Sequence, residues 1–280
     1  MNRIRMLVKN LWDMAALTLE QGGAVGTLPL SNSQRYGKSL TAAITPVAGN
    51  SAVVFTLPEM SLASGLVIYR HWLSNAGKWR VELFDGPNAT GTKVYDSALL
   101  DAVATKSLGE LDWLVDPLIA SPFDAWPFKF SQHWFSPQFF RSGRLSISDA
   151  DGRDGLHEFD RIYLGQVFEP SVNFSWGAGH QWQSTERQYV TAAGSVFANE
   201  RIKTREIKFT LDHLSELERP HLSAAIRTVG ISKDWFISLY PEAATVKEIE
   251  YAMSCKFTAL PGLTNTHFNN YAAPFAVREA

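Results

Sequence analysis

"DRIYLGQVFEPSVNFSWG", residues 160–177, decides how the chain is divided. It holds a β-favouring run, a glycine, a proline and a second apolar run. No charge stands between Arg161 and Glu169. The slightly longer run "EFDRIYLG" (158–165) alternates Phe159, Arg161 and Tyr163 with Asp160, Ile162 and Leu164, mostly apolar on one face and mixed on the other. That period of two predicts a strand. The strand closes an N-terminal β unit, and Pro170 marks the entrance to a second unit of about 110 residues.

Upstream, "SAVVFTL" (51–57), "GLVIYRHW" (65–72) and "KWRVELFD" (78–85) are rich in β-branched and aromatic residues and are separated by turn formers. "TKVYDS" (92–97) and "GRLSISD" (143–149) read as shorter strands, and "GPNATG" (86–91) as a turn. Many short strands with irregular loops predict an antiparallel sandwich or jelly roll. Between them lies "DWLVDPLIASPFDAWPFKFSQHWFSPQFF" (112–140), with nine aromatics and four prolines. Proline at that density excludes a long regular helix. The segment is read as a meandering insertion over about 112–142, packed through its rings.

Downstream, "RIKTREIKFTL" (201–211) sets Arg205, Ile207, Phe209 and Leu211 on one face. "IEYAMSCKFTAL" (249–260) does the same with Ile249, Tyr251, Met253, Cys255 and Phe257. Both predict long strands buried on one side. "SELERPHLSAAIRTVG" (215–230) predicts a helix, with Ser215 and Glu218 as a capping box and Gly230 as its end. "DWFISLYP" (234–241) predicts the next strand. The loop "VTAAGSVFANE" (190–200) is small and polar around one large residue, Phe197. The tail after Pro261 lacks periodicity and is read as an extended arm.

Composition bounds the function. Among 280 residues, net charge is −2, so no basic excess exists to neutralise a run of phosphates, and nucleic-acid binding is excluded as the main role. Cys255 is the sole cysteine, which excludes an intrachain disulfide and a cysteine zinc site. Charged residues make up 19%, below the roughly 25% of ordinary globular chains. A surface short of charge suits a protein that buries part of it in an assembly, and equally a compact all-β protein. The apolar run after Arg3, Arg5 and Lys9 is broken by Asp13, so no signal peptide is expected. No apolar run reaches the roughly 18 residues of a membrane span.

Motifs of chemistry are sparse. The seven histidines form no H-E-x-x-H, and "DADGRDG" (149–155) fails the EF-hand pattern, with Arg153 where an oxygen ligand belongs and Asp154 where glycine belongs. No G-x-S-x-G, P-loop or G-x-G-x-x-G occurs. Asp112, Asp116 and Asp124 offer carboxylate pairs of the glycosidase kind, but nothing in the sequence fixes their separation. Trp113, Trp126 and Trp134 offer platforms on which a sugar ring stacks; the competing reading is that they plug the sandwich. No catalytic residue, metal ligand or cofactor is expected.

These stretches carry a resemblance. "LWDMAALT", "KWRVELFDG" and "HEFDRIYLG" resemble the galactose-binding-like (discoidin-type) jelly rolls found in tail proteins of long-tailed bacteriophages. Residues 194–260 are similar to the ring-forming domain of phage distal tail proteins, related to the tail-tube fold. The resemblance implies a mainly β chain: a jelly roll over 1–168, then a ring-forming sandwich with one helix and a C-terminal arm over 169–280. It implies a virion structural protein of the tail tip or baseplate, made in the host cytoplasm, without enzyme activity or cofactor. Its partners would be copies of itself in a ring, commonly a hexamer, and the neighbouring tube and hub proteins. Subunit contacts are then expected at Thr191, Gly194, Phe197 and Asn199, and at Phe268 and Tyr271 of the tail. The alternative is a carbohydrate-binding module that recognises a host glycan.

Overall fold

The computed structural model describes residues 3–241 and 246–280. It is mainly β and divides into two compact units. One comprises Met1–Glu169 with Trp235–Ala252; the other comprises Pro170–Asp234 with Met253–Ala280. The sequence placed 235–252 in the second unit; these residues cluster instead with the first.

In the first unit the strands are β1 (Arg5–Leu7), β2 (Ala16–Gln21), β3 (Gly23–Ala24), β4 (Ala42–Thr45), β5 (Asn50–His71), β6 (Lys78–Phe84), β7 (Lys93–Asp96), β8 (Leu100–Asp101), β9 (Lys129–Ser148) and β10 (His157–Gly165). Strands β2–β10 form an antiparallel network in the order β3-β4-β10-β5-β9-β6-β7, with β2 on β5 and β8 on β6. Two long strands organise it. The first half of β5 lies between β2 and residues 142–148 of β9; its second half lies between β10 and residues 129–140 of β9. Strand β5 therefore exchanges β2 for β10 midway, and β9 has β6 as a second neighbour only over residues 142–148, which is how a sandwich turns its corners.

The corner explains two differences from the sequence reading. Runs 51–57 and 65–72 are one strand, not two. Pro58, which has no N–H to donate, falls where the β5–β9 register breaks between Thr56 and Ser61. The second half of the aromatic insertion is likewise strand β9 rather than loop. Its Pro137 sits in a bulge where Phe135, Ser136 and Pro137 stand opposite Ser64 alone. Trp12, Phe55, Trp79, Phe140, Phe159 and Tyr163 are fully buried in the core.

The second unit contains β11 (Gly179–Gln183), β12 (Gln188–Val190), β13 (Val196–Ala198), β14 (Thr204–Ser215) and α1 (Glu218–Val229). The chain then gives β15 (Trp235–Ser238) and a short α2 (Val246–Glu250) to the first unit. There β15 pairs with β1, and Phe236 packs on Tyr69, Phe130, Trp134 and Tyr163. Ile249, read as strand, lies in α2. The chain returns to the second unit with β16 (Ala252–Phe257), β17 (Thr264–His267) and β18 (Asn270–Glu279).

The second unit's sheet runs β16-β18-β14-β11. Its inner face carries Ile207, Phe209, Leu211, Cys255, Phe257, Phe275 and Val277, all buried. Leu222, Ile226 and Val229 are the buried residues of α1. Arg205 is on that face too, wholly buried, with its guanidinium 3.3 Å from Glu279. The residues after Pro261, read as an arm, are therefore largely strand, with β18 the central member of the sheet.

Candidate functional site

No cluster of three or more metal-ligating side chains occurs among the described residues. The carboxylates singled out from the sequence hold loops together. Asp116 accepts from Lys106 Nζ at 2.8 Å and from the Asp112 backbone N–H at 3.2 Å. The lysine holds the Asp116 carboxyl below its ordinary range, the opposite of what a general acid needs. Asp124 accepts from the Ser121 N–H at 2.7 Å, closing a capping box on the turn 122–125, and from Asn75 at 2.9 Å. In the 149–155 loop, Asp149 is buried and accepts from the Ser74 N–H and Oγ, both at 2.6 Å, and from the Asp151 N–H. His71 is buried against Ser131 Oγ at 2.7 Å, and burial pushes its pKa down to about 3, so it is neutral at physiological pH.

The three tryptophans have different environments. Trp134 is half-buried and lines a recess of about 340 Å³ with Phe135, Ser136 and Pro137. A Cβ on Gly65 would lie 2.5 Å from the ring, so β5 backbone presses one side, and the Arg5 guanidinium stands over the ring at 5.5 Å from its centroid. Trp126 is half-buried against the core of the first unit. Trp113 is 75% exposed, on a loop whose neighbours Leu114, Val115 and Leu118 are exposed as well.

The expected contact loop is a hairpin. Gln188–Val190 of β12 pair with Val196–Ala198 of β13, so Thr191 and Gly194 form its tip and Phe197 faces Tyr189 across the ladder. Gly194, at φ 81°, makes the turn, and Thr191 accepts the Gly194 N–H at 2.9 Å. The Asn199 N–H donates to the Arg187 carbonyl at its base. Every residue from Arg187 to Lys203 is exposed, including Tyr189, Val190, Val196, Phe197 and Ile202. A two-stranded ribbon with both faces in water has no core of its own. The sequence reading found Phe197 but not its apolar neighbours. Their signal was present: Tyr189 and Val190 at the start of the segment mirror Val196 and Phe197 about the turn at 191–195.

The two tail residues part company. Phe268 is 92% exposed at the β17–β18 turn. Tyr271 is engaged within the unit: the Arg219 guanidinium lies 5.2 Å from its ring centroid, and a hydrogen bond to the Glu216 carboxylate pushes its pKa up.

A feature the sequence reading missed is a recess of about 400 Å³ in the second unit, lined by Lys208, Phe209, Leu260, Pro261, Pro274 and Phe275 among others. It joins the β14–β18 surface to the segment after β16, which the sequence left without structure.

No family model matches the chain, and no curated protein matches it. Among solved structures, a chitosan-binding module of a chitosanase/glucanase from Paenibacillus sp. is similar at TM-score 0.38 and 9% identity, over 56% of this chain and 98% of that one. A family 32 carbohydrate-binding module from Clostridium perfringens, in complex with galactose, is similar at 0.38 and 9%, over 59% and 99%. A Ruminococcus gnavus fucosidase is similar at 0.40 and 10%, over 58% of this chain but 28% of its own. Two of these neighbours are carbohydrate-binding modules and one is a fucosidase, and at such scores the likeness assigns no residue and no ligand here.

Proposed function

We propose that the protein is a non-catalytic assembly subunit that associates with copies of itself through the hairpin of residues 187–203, as a ring component of a phage tail tip would. The observation that carries this reading is the hairpin itself. Four large apolar side chains on a ribbon exposed on both faces, with Ile202 just beyond it, are stable in water only at a cost, and a neighbour removes that cost by covering them. A contact between a protruding hairpin and a different surface of the next copy is heterologous, and closes into a ring when its rotation allows. The chain's low charge density limits what must be desolvated in such contacts.

The test is the mass distribution of the full chain by mass photometry and sedimentation. Wild type forms a symmetric oligomer, and Phe197→Asp with Val196→Asp yields monomer of unchanged circular dichroism. A wild-type chain that stays monomeric at every concentration, alone and in isolated particles, sinks the reading.

A second reading is glycan recognition by the first unit, favoured by the exposure of Trp113. A glycan array on which Trp113→Ala loses binding and keeps its fold would support it.

A further inference from the structure

We infer that the apolar loop at residues 107–120 of one copy docks into the Lys208–Leu260–Pro261 recess of the next. The inference rests on the assembly reading above and adds a second contact to it. The loop, "SLGELDWLVDPLIA", exposes Trp113, Leu114, Val115, Leu118 and Ile119, and Leu114 projects fully into solvent. It is nonetheless fixed in place. Lys106 bonds the Asp116 carboxylate, the Lys106 N–H reaches the Ala120 carbonyl at 2.8 Å, and the Val115 and Asp116 N–H groups both reach the Asp112 carbonyl. Leu111 and Ala120 are buried on either side of the exposed stretch 112–119 and anchor it. Leu114 itself is held at φ 69°, a left-handed conformation that a leucine adopts only under constraint. A pre-ordered apolar tip loses little conformational freedom when it binds.

Charge selects the occupant of the recess. The loop carries Glu110, Asp112 and Asp116 and no lysine or arginine. The recess opens beside Lys208, which is 60% exposed at its side chain and pairs with Glu206 at 3.2 Å. On the same face of the sheet, Arg278 and Lys256 stand in register with Glu206, the carboxylate of that row. An acidic apolar tip therefore meets an apolar floor with a cationic rim. The hairpin of residues 187–203 fits this rim less well, because it carries Arg187, Arg201 and Lys203 against the single carboxylate of Glu200. The same carboxylates turn the loop away from anionic surfaces.

The experiment is a charge-reversal cycle on the full chain, read as the concentration at which wild type associates. Asp112→Lys and Lys208→Glu each weaken association at least tenfold, and the double variant recovers most of it. Leu260→Asp, which puts a like charge into the recess, weakens it comparably; because Leu260 is exposed, the fold is kept. Mixing Leu114→Asp with Leu260→Asp restores one good contact per pair and yields dimers that neither forms alone. Additive losses in the double variant, or wild-type association in all single variants, overturn the inference while leaving the hairpin reading intact. Unchanged association with loss of glycan binding in Trp113→Ala overturns it too, and returns the loop to sugar recognition. A monomeric wild type defeats the assembly reading itself.

Discussion

Asp160 shows how a single buried carboxyl contributes to the chain's response to pH. It sits in β10, almost fully buried, with Thr41 Oγ1 donating to it at 2.8 Å and the Arg70 Nε 3.1 Å away. Burial outweighs both partners and raises its pKa to about 6. The folded state thus holds this proton more tightly than the unfolded chain, whose aspartate titrates at its ordinary 3.8. The carboxyl's contribution to stability is therefore largest below the unfolded value and is lost as pH rises through 6. His71 works in the other direction: its pKa near 3 means that stability is lost as pH falls from its ordinary 6.5. Bulk acid unfolding mixes the two, so a comparison isolates Asp160. Between pH 7.5 and 5, wild type gains about 1 kcal/mol relative to Asp160→Asn. Urea titrations at both pH values measure it, and a constant difference between the two proteins counts against the raised pKa.

At the scale of elements, α1 depends on a polar cluster just ahead of it. Glu218 accepts from the Ser215 N–H at 2.9 Å, the Ser215 Oγ at 2.6 Å and the Ser171 N–H at 2.5 Å, and the Ser215 Oγ accepts the Glu218 N–H at 3.3 Å. The far end stops at Gly230, at φ 57°, whose N–H reaches the Ile226 carbonyl. Glu218→Ala lowers the midpoint of denaturation of the second unit, by roughly 1–2 kcal/mol, and Glu218→Gln recovers part of it. An alanine variant as stable as wild type would show that packing alone holds the helix. This capping pattern and the alternation of β10 and β14 were legible in the sequence, because local chemistry produces them. Strand β18 was not. Pro274 interrupts it, and alanines at 272, 273 and 276 give a weak periodic signal. The proline is tolerated because the carbonyl of Thr210, its register partner, accepts from the Ser175 N–H instead. Nor was the continuity of β5 and β9 legible, since the bulges that admit Pro58 and Pro137 exist only once the strands pair. For the candidate surfaces, sequence located the hairpin through Phe197, while the recess at Leu260 needed the return of β18 to form.

At the scale of the whole molecule, chain order and spatial order diverge. Residues 235–252 leave the second unit, join the first, and give way again to the second. Phe236 and Ile249 have no solvent exposure and belong to the first unit's core. Burying two such side chains contributes on the order of 3–6 kcal/mol, comparable to much of a domain's net stability of about 5–15 kcal/mol. Cutting at Pro170, where the sequence suggests a boundary, therefore removes part of a core rather than releasing a complete one. A fragment of residues 1–169 should leave Tyr69, Phe130, Trp134 and Tyr163 without their Phe236 partner. It should bind a hydrophobic dye and unfold at markedly lower denaturant than the intact chain. Supplying residues 235–252 through a flexible linker should raise the midpoint and quench the dye signal. A free 1–169 fragment as stable as the first unit of the intact protein would mean that the returning segment is carried by that core and does not complete it.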